Sequence, residues 1–448
     1  MSWRENTPGH FERPLDSIEL FLKSAGEKGA TYNKDNWTVR AYAKFSGGRS
    51  ADDTKAALKH AWKTLRYLQP QIAASLHGDS IHYDVPQPAI LESWMIKTFL
   101  VETVLTIDEL LASPRRSSLP TLHYLPKTSE ILFCSSHWRI DAIGATSLVN
   151  LLFRSLAEPS PISFGDEGKN LSSGRDEAAR IPQDVSQEDD DAATSLLMEY
   201  TTNLPSLGLP IQLVNEITSI SSRVKSILPR TATFSVVAAC KRKGIDVTSA
   251  VHAALIVALQ ELNSDLSSAE RYTSWGIFNY RPFIDPGYTN PAAHSVAVMQ
   301  CSLPISFIAS DFQENTFSLQ SFYSQLHNPF NSAALHGMLA PYTRKCAAMM
   351  NQPLPRGMPQ PTEPLVHGLG VLDRYLEGKY GQDAVEITDF WLGGIVLTRQ
   401  PLFYVWTWQG KMTLSMCYNE QYYTVGFMIS FIERVVGVLL EELNVERQ

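Results

Sequence analysis

His137 and Asp141, separated by three residues, are the side chains of this sequence that best suit acid–base chemistry. An imidazole works well as a general base because its ordinary pKa of about 6.5 lies near working pH. The chain contains 11 histidines, however, and a sequence of this length should show roughly one such spacing by chance. The spacing alone is therefore a weak signal, and its weight depends on the elements around it.

The segments on either side of His137 predict a strand followed by a helix. Residues 131–134 form an apolar run typical of a buried strand, and residues 142–156 carry leucines and isoleucine at helical spacing. Gly144 and its small neighbours permit a close approach of the backbone to a ligand or to another strand. We therefore expect His137 at a rigid strand-to-helix junction, where its side chain can face a cleft.

The rest of the sequence predicts an α/β (α+β) fold, in which mixed sheets are flanked by helices. Helices are expected at residues 53–69, 92–104, 192–202, 211–227, 247–262 and 424–443. Strands are expected at residues 80–85, 231–239, 272–279, 295–303, 365–372, 393–397, 402–407 and 411–418. A stretch rich in Pro, Ser, Gly and acid at 158–191 predicts a flexible acidic linker between an N-terminal subdomain (1–157) and a C-terminal subdomain (192–448).

Composition excludes several classes of protein. A net charge of -8 argues against a nucleic-acid binder, and 44% hydrophobic with 19% charged residues is typical of a globular chain. The five cysteines never stand in CxxC spacing, so we predict no disulfide framework, no metal site and a reducing, cytoplasmic location. We find no signal peptide, no membrane span and no GxSxG elbow. His252, among alanines on a predicted helix, is expected to pack in the core.

Several motifs, in order along nearly the whole chain, resemble those of one enzyme superfamily. The His137–Gly144 segment resembles an HxxxDG core, and Asn279-Tyr280-Arg281-Pro282 resembles a strand-end arginine motif. Asp389-Phe390-Trp391-Leu392-Gly393 occupies the place of a DFGWG motif. The superfamily is that of CoA-dependent acyltransferases, which includes BAHD enzymes, chloramphenicol acetyltransferase and the condensation domains of peptide synthetases. Within it, the chain is most similar to fungal secondary-metabolite O-acetyltransferases of the trichothecene 15-O-acetyltransferase type.

The resemblance implies two chloramphenicol-acetyltransferase-like subdomains with a central tunnel, and a C-terminal part that packs back onto the N-terminal half. His137 would be the general base, without a covalent acyl-enzyme. Asp141, paired with Arg281, and Gly144 would support the site. The remaining motif residues would lie near the CoA, namely Asp389, Trp391 and Gly393. The enzyme would be a monomer without a permanently bound cofactor, using acetyl-CoA or another acyl-CoA and an alcohol of a hydrophobic secondary metabolite.

The sequence also departs from the superfamily pattern, which leaves two alternatives open. Ser136 stands where condensation domains carry a first histidine, and Trp391-Leu392 replaces Gly-Trp of DFGWG. The nearest alternative is a free-standing condensation-type enzyme that takes its acyl group from an acyl carrier protein. The second alternative is the same fold used as a cyclase, a pericyclase or a binding protein.

Overall fold

A computed structural model describes residues 2–112, 116–212, 220–263, 271–325, 329–353, 357, 360–382 and 384–447. The described strands are β1 (Arg4–Thr7), β2 (His10–Pro14), β3 (Val39–Gly47), β4 (Ser75–His77), β5 (Ser80–Asp84), β6 (Phe99–Val101), β7 (Thr121–Leu125), β8 (Glu130–Ser135), β9 (Ser221–Leu228), β10 (Arg271–Asn279), β11 (Gln300–Ile308), β12 (Leu365–Val371), β13 (Lys379–Tyr380), β14 (Val385–Gly394), β15 (Leu402–Trp408) and β16 (Lys411–Asn419).

The described α-helices are α1 (Ser17–Glu27), α2 (Ala51–Leu68), α3 (Pro88–Thr98), α4 (Ile107–Ala112), α5 (Ala142–Ala157), α6 (Arg175–Ala178), α7 (Gln187–Thr201), α8 (Arg230–Lys243), α9 (Val247–Leu262), α10 (Phe312–Ser324), α11 (Pro329–Met350) and α12 (Val425–Leu443). Helices and mixed sheets therefore alternate along the chain, which confirms the predicted α/β architecture.

The chain divides into two compact units. The first comprises Met1–Ile181, Asn279–Gln300 and Asp373–Ile395, and the second comprises Pro182–Phe278, Cys301–Leu372 and Val396–Gln448. Two later segments thus belong to the unit that holds His137. All the motif residues named above, from His137 to Gly393, lie in this first unit.

The first unit contains two sheets. One has the strand order β13-β14-β3-β8-β7-β6, and it is mixed because β6 pairs with β7 in parallel while the other pairs are antiparallel. The helix α5 contacts β3 and β14 on this sheet and packs against α2. The other sheet, β1-β2-β5-β4, covers a small apolar cluster that includes Ile18, Ile81 and Trp138. Strand β8, hydrogen-bonded on both sides, gives the His137 loop a fixed origin.

The second unit is built on one mixed sheet with the order β11-β10-β12-β15-β16-β9. The pairs β10–β12 and β12–β15 are parallel, and β15–β16 and β16–β9 are antiparallel. Helices α8, α9, α10 and α12 contribute to its hydrophobic core. The aromatic residues of β15 are largely buried, and α9 is apolar on nearly all sides, as expected for a central helix.

Two elements predicted from the sequence have the wrong type, and two others have wrong bounds: the helix predicted at 92–104 ends at Thr98, and the strand predicted at 393–397 is the end of β14. The strand predicted at 231–239 is part of α8, in which Val236, Ala239 and Cys240 are buried at helical spacing. Gly244 ends this helix in the left-handed conformation (φ 68°), after a cationic last turn that favours a helix C-terminus. The helix predicted at 211–227 overlaps strand β9, which pairs with β16, and its residues 213–219 lie outside the described part of the chain.

The segment 158–191, predicted as a flexible acidic linker, instead carries ordered structure with buried charges. Glu167 is fully buried and accepts a hydrogen bond from the Tyr83 hydroxyl at 2.8 Å. Arg175, also buried, donates to the Asp176 carboxylate and to the Ser17 hydroxyl. The acidic run at the end of the segment lies in the first turn of α7. The acidic side chains of residues 158–191 therefore accept hydrogen bonds from specific donors. Composition alone could not indicate these contacts.

The five cysteines are all free thiols, and four of them are buried. Among the described residues, no single helix is both long enough and apolar enough to cross a membrane. The bent pair of α8 and α9 has the required length and composition only when the two helices are taken together.

Candidate active site

A tight turn at the carboxyl end of β8 carries His137. The backbone N–H of Arg139 donates to the Ser136 carbonyl at 3.2 Å, which closes the turn. The buried Arg139 guanidinium donates to the Gln71 carbonyl at 2.6 Å and lies 4.3 Å from the centre of the Trp138 ring. The Trp138 side chain is anchored in the apolar cluster beneath the four-stranded sheet. The residues on either side of His137 thus fix its backbone.

His137 is half-buried at this turn. Its Nδ1 is buried and makes no hydrogen bond of good geometry within the described chain. Burial lowers the pKa of His137 below its ordinary value of 6.5, while the carbonyls of His137 and Ile140 and the Asp141 carboxylate act in the opposite direction. The imidazole is therefore neutral near neutral pH and able to accept a proton.

Asp141 has no capacity left for catalysis, because structural partners occupy its carboxylate. Oδ1 accepts from the Gly144 backbone N–H at 2.7 Å and so caps α5. Arg281 binds the same carboxylate through two hydrogen bonds, of 2.9 Å to Oδ2 and 3.1 Å to Oδ1. The Met299 N–H donates to Oδ2 at 2.8 Å. Asp141 and Arg281 are only 2% and 4% exposed, so this buried ion pair holds the His137 loop in place.

Gly144 lets the start of α5 touch another backbone segment. A Cβ at this position would lie 2.2 Å from the Ser295 carbonyl oxygen, well inside contact distance. The Asp141 backbone N–H donates a hydrogen bond to the Ala297 carbonyl of the same segment at 3.3 Å. The structure thus brings His137, Asp141, Gly144 and Arg281 into one cluster, in which residues 295–299 take part through their backbone.

Comparisons with known proteins identify the family of the chain. No protein-family model matches the chain. The O-acetyltransferase pigM of Monascus ruber is 30% identical over 100% of this chain and 88% of its own length. The acetyltransferase pigO of the same organism is 29% identical over 99% of both chains. This chain belongs to the CoA-dependent acyltransferase family. It is therefore an acyltransferase enzyme.

The fold of this acyltransferase is also that of a solved structure. The TRI3 trichothecene 15-O-acetyltransferase of Fusarium sporotrichioides superposes with a TM-score of 0.81, over 98% of this chain and 96% of its own. The two sequences are only 17% identical, so this likeness shows the shared fold. The fold class predicted from the sequence motifs is confirmed.

The DFGWG-like segment of the acyltransferase forms strand β14 within the first unit. Gly393 lies opposite Arg40 on β3, which in turn pairs with Cys134 near the His137 loop. Asp389 lies opposite Lys44, at the far end of the same strand pair, about 13 Å further along at ordinary strand rise. Trp391 is only 2% exposed. Gly393 alone of the three therefore lies at the end of the sheet from which His137 emerges.

A small polar cleft beside Ser136 is lined by side chains that no sequence motif marks. The Ser136 hydroxyl donates to Asp35 at 2.6 Å, and Arg116 Nε lies 2.7 Å from the other Asp35 oxygen. Lys34 and Cys134 also line the cleft. Burial raises the pKa of the Cys134 thiol to about 11, so it is not a thiolate nucleophile at neutral pH. No local sequence pattern marks Asp35 as a site residue, because its partners Arg116 and Ser136 are 81 and 101 residues away along the chain.

Proposed function

We propose that this acyltransferase transfers an acetyl group from acetyl-CoA, or a related acyl group from another acyl-CoA, to a hydroxyl of a hydrophobic secondary metabolite. The observation that carries the proposal is the half-buried His137 on the fixed turn after β8, where burial lowers the pKa of the imidazole. The names of the Monascus relatives, an acetyltransferase and an O-acetyltransferase, support acetyl as the group and oxygen as the acceptor atom.

In the proposed reaction His137 acts as the general base. It takes the hydroxyl proton as the oxygen attacks the thioester carbonyl, and the C–S bond breaks when the tetrahedral intermediate collapses. The imidazolium then returns the proton to the departing thiolate, so the products are an ester and free CoA. Because Nδ1 is buried without a hydrogen-bond partner in the described chain, a substrate hydroxyl can reach only Nε2, and we assign the ring proton to Nδ1 and the basic lone pair to Nε2.

Asp141 and Arg281 are positioning residues in this proposal. Their bidentate pair ties the start of α5 to the segment that carries Met299, and the His137 loop runs directly into that helix. A general base must stay within hydrogen-bond reach of the proton it removes, so a fixed loop preserves the reactive geometry. We place Gly393 nearest to the bound CoA among the β14 residues and treat Asp389 and Trp391 as supports of the sheet.

The proposal includes a cytoplasmic monomer. All five cysteines are free and four of them are buried, which suits a reducing compartment. Size-exclusion chromatography with light scattering on the full chain tests the monomer directly.

Release of free thiol from acetyl-CoA, measured with a panel of hydroxylated terpenoid and polyketide acceptors, tests the reaction. We expect acceptor-dependent release by the wild type and a loss of about 10²-fold or more in His137→Ala. His60→Ala is the matched control, because the His60 ring lies on α2 and contacts the Ser160 carbonyl at 3.1 Å, and it should retain wild-type activity.

Two results would contradict separate parts of the proposal. Equal rates for wild type and His137→Ala would remove His137 as the base. Acceptor acylation from an acyl carrier protein but not from acyl-CoA would replace the donor and favour the condensation-type alternative.

A further inference from the structure

The outer face of the four-stranded sheet in the first unit gathers two histidines and two carboxylates. His10 and Glu12 alternate along β2, and His82 and Asp84 alternate along β5, so each pair points to one face. The strand register sets His10 opposite Asp84 and Glu12 opposite His82. The opposite face of β5, which carries Ile81, packs in the apolar cluster. The polar cluster therefore lies on a supported surface.

Three of these side chains direct ligand atoms toward one point. His82 Nδ1 lies 3.4 Å from His10 Nε2 and 3.5 Å from Glu12 Oε2, and His10 Nε2 lies 3.9 Å from Glu12 Oε2. Two ligands bound to tetrahedral Zn²⁺ at about 2.0–2.1 Å are separated by about 3.3–3.4 Å. Two of the three separations already match this value to within about 0.2 Å. In the described part of the chain, this is the only group of three such residues whose ligand atoms converge.

Asp84 gives a second, independent indication. Its Oδ1 lies 2.7 Å from His10 Nδ1, on the side of the ring away from Glu12 and His82. This contact places the proton on Nδ1 and the lone pair on Nε2, which faces His82 Nδ1 at 3.4 Å and is available to an ion bound in place of that contact. Metal-binding histidines commonly donate their other ring N–H to a carboxylate in this way.

We propose that His10 Nε2, His82 Nδ1 and Glu12 bind one divalent transition-metal ion of the zinc type, with Asp84 as the orienting residue. Two neutral imidazoles and one carboxylate leave a fourth tetrahedral position for water. The side chains of His10 and His82 remain 30% and 21% exposed, so an ion can enter from solvent. The ion would cross-link β2 to β5. Cysteine spacing could not indicate this site, because its ligands are histidines and a carboxylate that lie about 70 residues apart.

The site is independent of the proposed acyl transfer, and binding of Zn²⁺ alone tests it. The full chain, without an affinity tag and stripped with a chelator, is titrated with zinc sulfate by calorimetry at neutral pH. We expect one equivalent to bind, and Co²⁺ in its place to give the intense visible bands of a tetrahedral ion. His82→Ala should weaken this binding at least about 10-fold, and Asp84→Asn should weaken it by about 10–100-fold.

His77→Ala is the matched control, because its ring packs edge-on against His82 at 4.6 Å but lies outside the converging group. It should bind Zn²⁺ within about twofold of wild type. Circular dichroism in chelator checks that all variants are folded, and Glu12→Gln replaces any variant that is not. The proposal is overturned if the wild type binds no Zn²⁺, or if folded His82→Ala or Glu12→Gln binds it as tightly as the wild type.

Discussion

Arg281 and Asp141, which lie 140 residues apart in sequence, form a buried bidentate ion pair at the start of α5. The pair connects two chain segments of the first unit, the His137 loop and the segment that follows β10. A buried charge is costly unless its partner is well placed, and here Met299 and Gly144 supply the remaining hydrogen bonds to the carboxylate. The ion pair and these two backbone hydrogen bonds therefore stabilise the loop together, and each depends on the others.

Removing the charge of Asp141 should destabilise the protein. In Asp141→Asn the shape of the side chain is kept, but Arg281 is left as a buried cation without its counter-ion. We expect a loss of about 3–5 kcal/mol in the free energy of unfolding, measured in urea. Turnover of the folded variant should fall by about 10²-fold, because the His137 loop loses its fixed position.

A double-mutant cycle provides the control for this prediction. Arg281→Gln removes the cation, so Asp141→Asn combined with Arg281→Gln should be less destabilised than the sum of the two single variants. A urea midpoint for Asp141→Asn equal to that of wild type would show that the pair does not hold the loop.

Gly144→Ala should destabilise the protein, because there is no room for the added methyl group. The new methyl group would meet the Ser295 carbonyl oxygen at 2.2 Å, and neither backbone can move freely. We expect a destabilisation of about 1–3 kcal/mol with reduced turnover. Gly426→Ala is the matched control: Gly426 also lies in the first turn of a helix, but a Cβ there meets nothing within 4 Å. It should stabilise the protein slightly, since alanine favours helices. Equal effects of the two substitutions would contradict the close approach at Gly144.

The sequence predicted those elements whose signals are local. Helix α9 was predicted at its observed residues from its continuous apolar segment, although the residue that caps it in the structure is Asp246. The segment of α8 was misjudged because its threonines and valines favour strands locally, while burial of Val236 against the core decides the outcome. Strand β9 could not be recognised, because its pairing partner β16 lies about 190 residues away.

The site could be predicted only where side-chain motifs mark it. His137, Asp141 and Arg281 follow from the family resemblance, and the structure brings Asp141 and Arg281 together as expected. The Met299 N–H and the Ser295 carbonyl could not be predicted, because any residue supplies these backbone groups. These backbone groups contribute to the position of the His137 loop as the side chains do.

The pH dependence of turnover should report the environment of His137. Burial lowers the pKa of this imidazole, so the basic form persists below the ordinary value of 6.5. We expect kcat/KM to be constant through neutral pH and to fall on acidification with a midpoint below 6.5. The measurement is a kcat/KM profile in a constant-ionic-strength buffer series. An acid limb centred above 6.5 would mean that the charged form is favoured, contrary to the effect of burial.

His252 should make the stability of the protein depend on acid pH. It is fully buried, with its two ring nitrogens 2.7 Å from the Tyr272 hydroxyl and 2.9 Å from the Tyr323 hydroxyl. Burial lowers the pKa of His252 from 6.5 to about 3. Between these values the unfolded chain binds a proton that the folded chain does not, so stability falls as pH falls from 6.5 toward about 3.

The size of this effect can be isolated with His252→Gln, which can still hydrogen-bond to both tyrosines but does not titrate. Below pH 6.5 the wild type should lose up to about 1.4 kcal/mol per pH unit more than the variant, in guanidinium unfolding measured at several pH values. The carboxylates and the other histidines affect both proteins alike, so they cancel in the difference. Parallel stability profiles would mean that His252 becomes protonated in the folded protein, for which its buried position between two phenols offers no compensation.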